Sequence, residues 1–355
     1  MSESVDPMPE PSAAARSETA DRLDHLTKPI GSLGRLEELA IWAAGVQNRC
    51  PPRRFTDIHV VVVAGDHGVA QAAGTSAYPV EVTAQMVANI CAGGAAVNVL
   101  SDQLGAALQL VDACVAGEYD TGVVPPGMAD RRIRRGSGAI DREDAMTAAE
   151  TDAAVSLGAS IAAEVKAAGG DLLVVGDMGI GNTTAAAALV AALTDGDAVA
   201  ATGRGTGIDD ATWMRKASAV RDALWRVRHD RWDARVLVQR IGGPDLAVMA
   251  GLLAGAAAAG LPVVLDGVVV TSAALVAEGM SPGASRWWLA GHRSVEPAHS
   301  AALAELGLAP VLDLGMRLGE GSGALMAVPV LQAAIDLVSD MATFESAGVS
   351  DGREA

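Results

Sequence analysis

The chain is 355 residues long, with 26 basic side chains against 43 acidic ones and a formal net charge of −17 at pH 7. That balance excludes a protein held on nucleic acid by phosphate contacts, which needs a dense basic surface to displace counterions. Half the residues are apolar but aromatics make up only 3%, so the core must be built from Ala, Val, Leu and Ile. The length suits one large α/β domain with an appendage, or two ordinary domains.

Residues 1–20, MSESVDPMPEPSAAARSETA, are acidic and rich in Pro and Ser. No basic segment leads into an apolar one, so the stretch reads as a disordered lead-in and not as a signal peptide. Residues 21–50 read as helical with no strand, as do residues 323–345. The two are expected to pack together as a small helical domain made from both chain ends, with 346–355 a flexible tail. Between them, over 51–322, short β-branched runs recur, each followed by a Gly-rich turn and an Ala-rich stretch, the pattern of βα units around a parallel sheet. Six runs stand out, near 58–68, 107–113, 171–179, 261–267, 286–292 and 309–315. They are almost continuously apolar, as strands covered on both faces are. Gly, Asp and His punctuate their C-terminal ends, where open α/β sheets bind ligands. The polar segment 114–150, with Pro125, Pro126 and the arginines of 131–135, reads as an excursion from these layers.

Residues 246–265 carry no charge over twenty positions and pass a length test for a membrane span. Gly251, Gly255, Gly260 and Pro262 divide them into a small-residue helix and a strand, so a buried helix-strand pair is expected and no membrane anchor. Cys50, Cys91 and Cys114 lie far apart without C-x-x-C spacing, which supports neither a disulfide framework nor a zinc ribbon and fits a reducing cytoplasm.

Four segments carry candidate chemistry. Gly176-Asp177-Met178-Gly179-Ile180-Gly181-Asn182-Thr183-Thr184 joins a strand to an Ala-rich helix. Its glycines allow close approach of a ligand and its helix start favours an anion, although it is neither a dinucleotide nor a triphosphate signature. Substitution of Gly179 or Gly181 by valine is expected to cost substrate binding while sparing the fold. The second segment, Gly203 to Asp210, is followed by Lys216. Its Asp209-Asp210 pair is either a metal site or a helix N-cap, and the helical sequence after it favours the cap. Only three lysines occur, and Lys28 and Lys216 both sit in motif-like segments, where they are candidates to meet an anion. In the third, Asp66 and His67 are adjacent and so diverge. No local Ser or Cys nucleophile completes a triad, and no histidines have H-E-x-x-H spacing. In the fourth, Leu318-Gly319-Glu320-Gly321, one carboxylate stands among glycines and apolar side chains, where desolvation would raise its pKa and make it a useful general base.

Taken together, LTKPIGSLGRLEELA, AGDHGV, SAYPVEVTAQMV, GDMGIGNTTAAAAL, GTGIDD, IGGPDLAVMAG, GHRSVEPAH and DLGMRLGEGSGALMA resemble the nicotinate-nucleotide:dimethylbenzimidazole phosphoribosyltransferases of cobalamin biosynthesis, in the same order over roughly 21–340. The resemblance implies a Rossmann-like parallel sheet flanked by helices, with a small helical domain from both chain ends, and a homodimer. It further implies transfer of phosphoribose from nicotinate mononucleotide to 5,6-dimethylbenzimidazole, with Glu320 as the catalytic base and no metal or cofactor. The azole is then expected against Tyr78, Pro79, Met86, Met178 and Leu318, with Gln85 as the nearby polar group. Gly176, Asp177, Gly179, Gly181, Asn182 and Thr183 would wrap the nucleotide, and Lys216 and Ser294 would take its phosphate. Asp177 stands where the family commonly has Glu. Two other readings are a phosphoribosyl-pyrophosphate-dependent transferase with Mg²⁺ on Asp209 and Asp210, and a non-catalytic protein that binds the azole or the mononucleotide.

Overall fold

A computed structural model describes residues 8–119, 122–230 and 233–350. Five of the apolar runs form strands: β1 (Ile58–Gly65), β2 (Ala107–Cys114), β3 (Leu172–Met178), β4 (Val263–Leu265) and β5 (Trp288–Ala290). All pair in parallel, in the order β2-β1-β3-β4-β5. Helices cover both faces, which is why β1 and β3 need no polar alternation: Val60 to Val63 and Leu172 to Val175 are all fully buried. The order reverses between β1 and β3, and the crevice at such a reversal, beyond the C-terminal ends of the strands, is where doubly wound sheets place their ligands.

The sixth run does not form a strand. Val311 and Leu312 donate backbone bonds to Ala290 and Gly291, at 2.9 and 3.1 Å, and the pairing ends at one bridge, His292 to Leu312. Pro310 has no N–H to extend it and Gly315 turns left-handed, with φ 67°. The excursion after β2 folds back along the sheet edge, where Ile133 donates to Ala113, Gly136 to Cys114 and Ser137 to Asp66.

The chain start departs from expectation. A helix begins at Ala13, capped by the Ser12 hydroxyl, and runs to His25, so residues 13–20 are helical and not a disordered lead-in. Its stripe of Ala15, Thr19 and Leu23 is buried, and burial against neighbours stabilises a short helix whose composition alone would not hold it. Residues 1–7 and 351–355 lie outside the described residues. The expected helical segment 21–50 is two helices, Ala13–His25 and Arg35–Gln47. The chain ends do meet: Arg22 donates to the carbonyls of Val338 and Ser339, and Thr27 to that of Ala342. Their apolar residues belong to the same continuous core as the sheet.

Within the uncharged stretch, the helix Pro244–Ala258 precedes β4. It packs on Ala148–Ala167 with the two backbones almost touching: a Cβ at Gly158 would overlap the Val248 carbonyl, and one at Gly251 the Val155 carbonyl. By length and composition Glu81–Leu104 and Ser322–Asp340 are apolar enough to cross a membrane. The first is broken into two helices around Gly93, and the second is mostly buried in the core. Gly251→Val should force the helix pair apart and lower stability by roughly 3 kcal/mol, the upper end of ordinary overpacking, read as a lower urea midpoint with unchanged slope.

Candidate active site

A cavity of about 580 Å³ opens beyond the ends of β1 and β3 and is walled by the segments that follow β4 and β5. Two ties draw its rim together: Ala77 N–H donates to Thr206 Oγ1 at 3.3 Å and Arg317 Nη1 to the Gly205 carbonyl at 2.6 Å. Val82, Met86, Met178 and Leu318 make one wall apolar, with Tyr78 and Leu318 more than half exposed at the mouth.

The opposite wall carries a buried cation. Lys216, 1% exposed, donates to Thr183 Oγ1 at 2.9 Å. Burial pulls its pKa down to about 8, against the charge of Glu296, which works to raise it. The Glu296 carboxylate accepts the Gly205 N–H at 2.8 Å. Ser294 is held by its own N–H, which donates to His299 Nδ1 at 2.8 Å. The His299 proton therefore sits on Nε2, 3.0 Å from Thr271 Oγ1. Burial, with the neighbouring His292 second, lowers its pKa to about 4 and keeps the ring neutral. Arg204 and Arg317 complete this side.

Glu320 lies at the cavity floor, 5% exposed, and its Oε2 has no hydrogen-bond partner. Burial raises its pKa; the Val97 backbone N–H opposes that and the Asp266 charge adds to it. Its backbone is left-handed, φ 62°, between Gly319 at 87° and Gly321 at 81°, a conformation that costs a non-glycine residue about 1–2 kcal/mol. Asp177 accepts from Asn182 Nδ2 at 2.8 Å. Burial first, then the charges of Asp266, Asp245 and Glu320, hold its carboxyl well above the ordinary range.

The glycines of the β3 loop make room for protein, not only for ligand. A Cβ at Gly179 would overlap the Gly65 carbonyl, one at Gly181 would press on Ala70 and His67, and one at Gly176 would collide with the backbone of Glu320 and Gly321. The expectation that valine at Gly179 or Gly181 spares the fold is thereby reversed. Asp66 and His67 brace the same loop from β1. His67 N–H donates to the Ile180 carbonyl at 3.0 Å, while the Thr83 hydroxyl donates to Asp66 and accepts the Ile180 N–H at 3.2 Å. The buried His67 ring pairs with Asp245 at 2.9 Å.

A family model described as Phosphoribosyltransferase, DBI_PRT, matches residues 8–349. The chain belongs to this family. It is 58% identical over 344 residues to a nicotinate-nucleotide--dimethylbenzimidazole phosphoribosyltransferase of Mycobacterium tuberculosis (strain ATCC 25618 / H37Rv), covering 97% of this chain and 94% of that one. It is 56% identical to the protein of the same name from Mycobacterium avium (strain 104), covering 97% and 96%. A crystal structure of CobT from Thermus thermophilus superposes with a TM-score of 0.90 at 44% identity, covering 96% of this chain and all of that one.

Of the residues expected at the site of this phosphoribosyltransferase, Tyr78, Met86, Asp177, Met178, Gly179, Gly181, Asn182, Thr183, Lys216, Ser294, Leu318 and Glu320 line the cavity. Three do not. Gln85 points into a separate shallow depression with Glu81 and Ala88, because it shares the outer face of its helix with Glu81. Pro79 is exposed beyond the rim, and Gly176 lies behind Glu320. Lys28 pairs with Glu37 at 2.8 Å and is not at the cavity. Asp209 caps the helix Asp210–Arg226 through the Thr212 N–H, and exposed Asp210 pairs with Arg204. Among the described residues no group of three or more His, Cys, Asp or Glu is arranged to hold a metal. Arg204, His292, Glu296 and Arg317 were not anticipated. Their signal was proximity, since His292 and Glu296 flank Ser294 and Arg317 precedes Leu318.

Lys216 is charged below about pH 8 and loses its proton above it. Binding of sulfate, whose own charge is constant, should therefore weaken as pH rises through 8. Lys216→Arg should bind without that decline, because a guanidinium stays protonated; calorimetry across pH 6.5–9.5 distinguishes the two (a range set by roughly 1.5 units about the Lys216 value).

Proposed function

We propose that the chain transfers phosphoribose from nicotinate mononucleotide to 5,6-dimethylbenzimidazole with inversion at C1′, giving α-ribazole 5′-phosphate and nicotinate for the lower ligand of cobalamin. The observation that carries this reading is Glu320, a buried carboxylate with a free oxygen and a raised pKa, in the same cavity as the cationic wall of Lys216. The 5′-phosphate sits against Lys216, Thr183 and Ser294, and the azole against Met86, Met178 and Leu318. The unprotonated azole nitrogen attacks C1′ as the bond to the pyridine nitrogen breaks. That electron pair neutralises the ring's positive charge, so the leaving group needs no proton. The other azole nitrogen gives its proton to Glu320. A general base of this kind is worth roughly 10²- to 10⁴-fold, and alignment of the two rings supplies most of the rest.

The same reading places the protein in the cytoplasm as a homodimer, and sedimentation at micromolar concentration should show a dimer; a species that stays monomeric contradicts that part. Glu320→Gln should keep azole binding and KM but lose roughly 10²- to 10⁴-fold in kcat, as removal of a transition-state proton acceptor does. Near-full kcat at neutral pH would mean that another group is the base. Turnover should survive excess EDTA with nicotinate mononucleotide as donor, which excludes the Mg²⁺-dependent pyrophosphate-donor reading, whereas abolition would show a metal requirement that the proposed mechanism does not have.

A further inference from the structure

Asp266, the residue after β4, is fully buried, and its carboxylate accepts three backbone amides of one turn. Oδ2 accepts the Gly321 N–H at 3.1 Å, and Oδ1 accepts those of Gly323 at 2.8 Å and Ala324 at 3.0 Å. These amides flank Glu320 and open the helix Ser322–Asp340, whose N-cap, Gly321, has no side chain to cap it. A carboxylate from another strand therefore does the capping, where the helix dipole favours a negative charge. His292 braces Asp266 from the cavity side. Its Nε2 lies 3.3 Å from Oδ1, and its ring occupies the space a Cβ at Gly323 would need.

We propose that Asp266, braced by His292, is the positioning residue for Glu320: its carboxylate pins the 319–324 turn to the end of β4 and so fixes where the base stands. The inference rests on the reading of Glu320 as that base. Within the turn, the Glu320 N–H donates to the Asp177 carbonyl at 2.9 Å and the Ser322 N–H and hydroxyl donate to the Gly319 carbonyl at 3.0 and 2.6 Å; the three amides on Asp266 are what tie that turn to the end of β4. The charge acts as well as the geometry. The ionisable groups packed around Glu320 are Asp177 at the end of β3, Asp266 and His292, while Arg317 on its own turn reaches away to Gly205. After burial itself, the Asp266 carboxylate adds to the preference of Glu320 for its protonated form.

Asp266→Asn preserves shape and two of the acceptor contacts but removes the charge and places an NH₂ against the Gly321 amide. It should leave calorimetric affinity for nicotinate mononucleotide within about twofold, lower kcat by roughly 10- to 100-fold, and move the acidic limb of kcat to lower pH. In a double-mutant cycle it should cost under about twofold further in the Glu320→Gln background, because a residue that acts through Glu320 has nothing left to position. Near-normal kcat in Asp266→Asn, an unmoved acidic limb, or an equal loss in both backgrounds overturns the proposal. Full activity of Glu320→Gln alone overturns the base reading and this inference with it, and so is told apart from failure of Asp266 alone. Hydrogen exchange in the wild-type protein covers a variant that does not fold: the Gly321 and Gly323 amides should be strongly protected, and exchange at the rate of an open loop contradicts the clamp.

Discussion

The end of β3 meets the turn before the helix Ser322–Asp340 backbone to backbone, with Gly176 leaving no space for a side chain between them. The rest of the site follows from that contact. It brings Glu320 beneath the loop that carries Asp177 and Asn182, and it requires the successive left-handed residues 319–321. The same device recurs where Gly179 lies on Gly65 and Gly181 on His67, so the β1 and β3 ends and the Glu320 turn form one close-packed floor. A floor without intervening side chains has few ways to relax, which suits the base role proposed for Glu320.

Charge is unevenly spread over the cavity. Lys216, Arg204 and Arg317 lie on one side with the single carboxylate of Glu296, and the carboxylates of Asp177 and Glu320, with Asp266 behind them, lie on the other. In a chain of net charge −17, the buried Lys216 is a local cation that suits the proposed anionic donor. Burial first, and the neighbouring acids after it, raise the proton affinity of Glu320 and Asp177, an arrangement that fits the proposed anion at one end and proton acceptor at the other.

Much of this was legible in the sequence, for identifiable reasons. β1 and β3 announce themselves because a strand buried on both faces is apolar at every position, and Glu320 because a lone carboxylate among glycines and apolar residues has few solvated explanations. The Ala13–His25 helix was not legible, since its polar composition forms a helix through tertiary burial of three residues. The run 309–315 looked like a strand but lies at the sheet edge with a proline that cannot donate. Glycine spacing revealed close approach without revealing to what; at Gly176 and Gly179 the neighbour is backbone. Asp266 gave no signal, because its partners are amides 55 to 58 residues away in sequence.

The measurement that bears most directly on the account is a single-turnover reaction of nicotinate mononucleotide with 5,6-dimethylbenzimidazole, following nicotinate release and the C1′ configuration of the product by NMR. Release of one nicotinate per azole consumed, with the product wholly α, is the result expected of direct attack assisted by Glu320. A β-configured product, or nicotinate released at the same rate without azole, would contradict it.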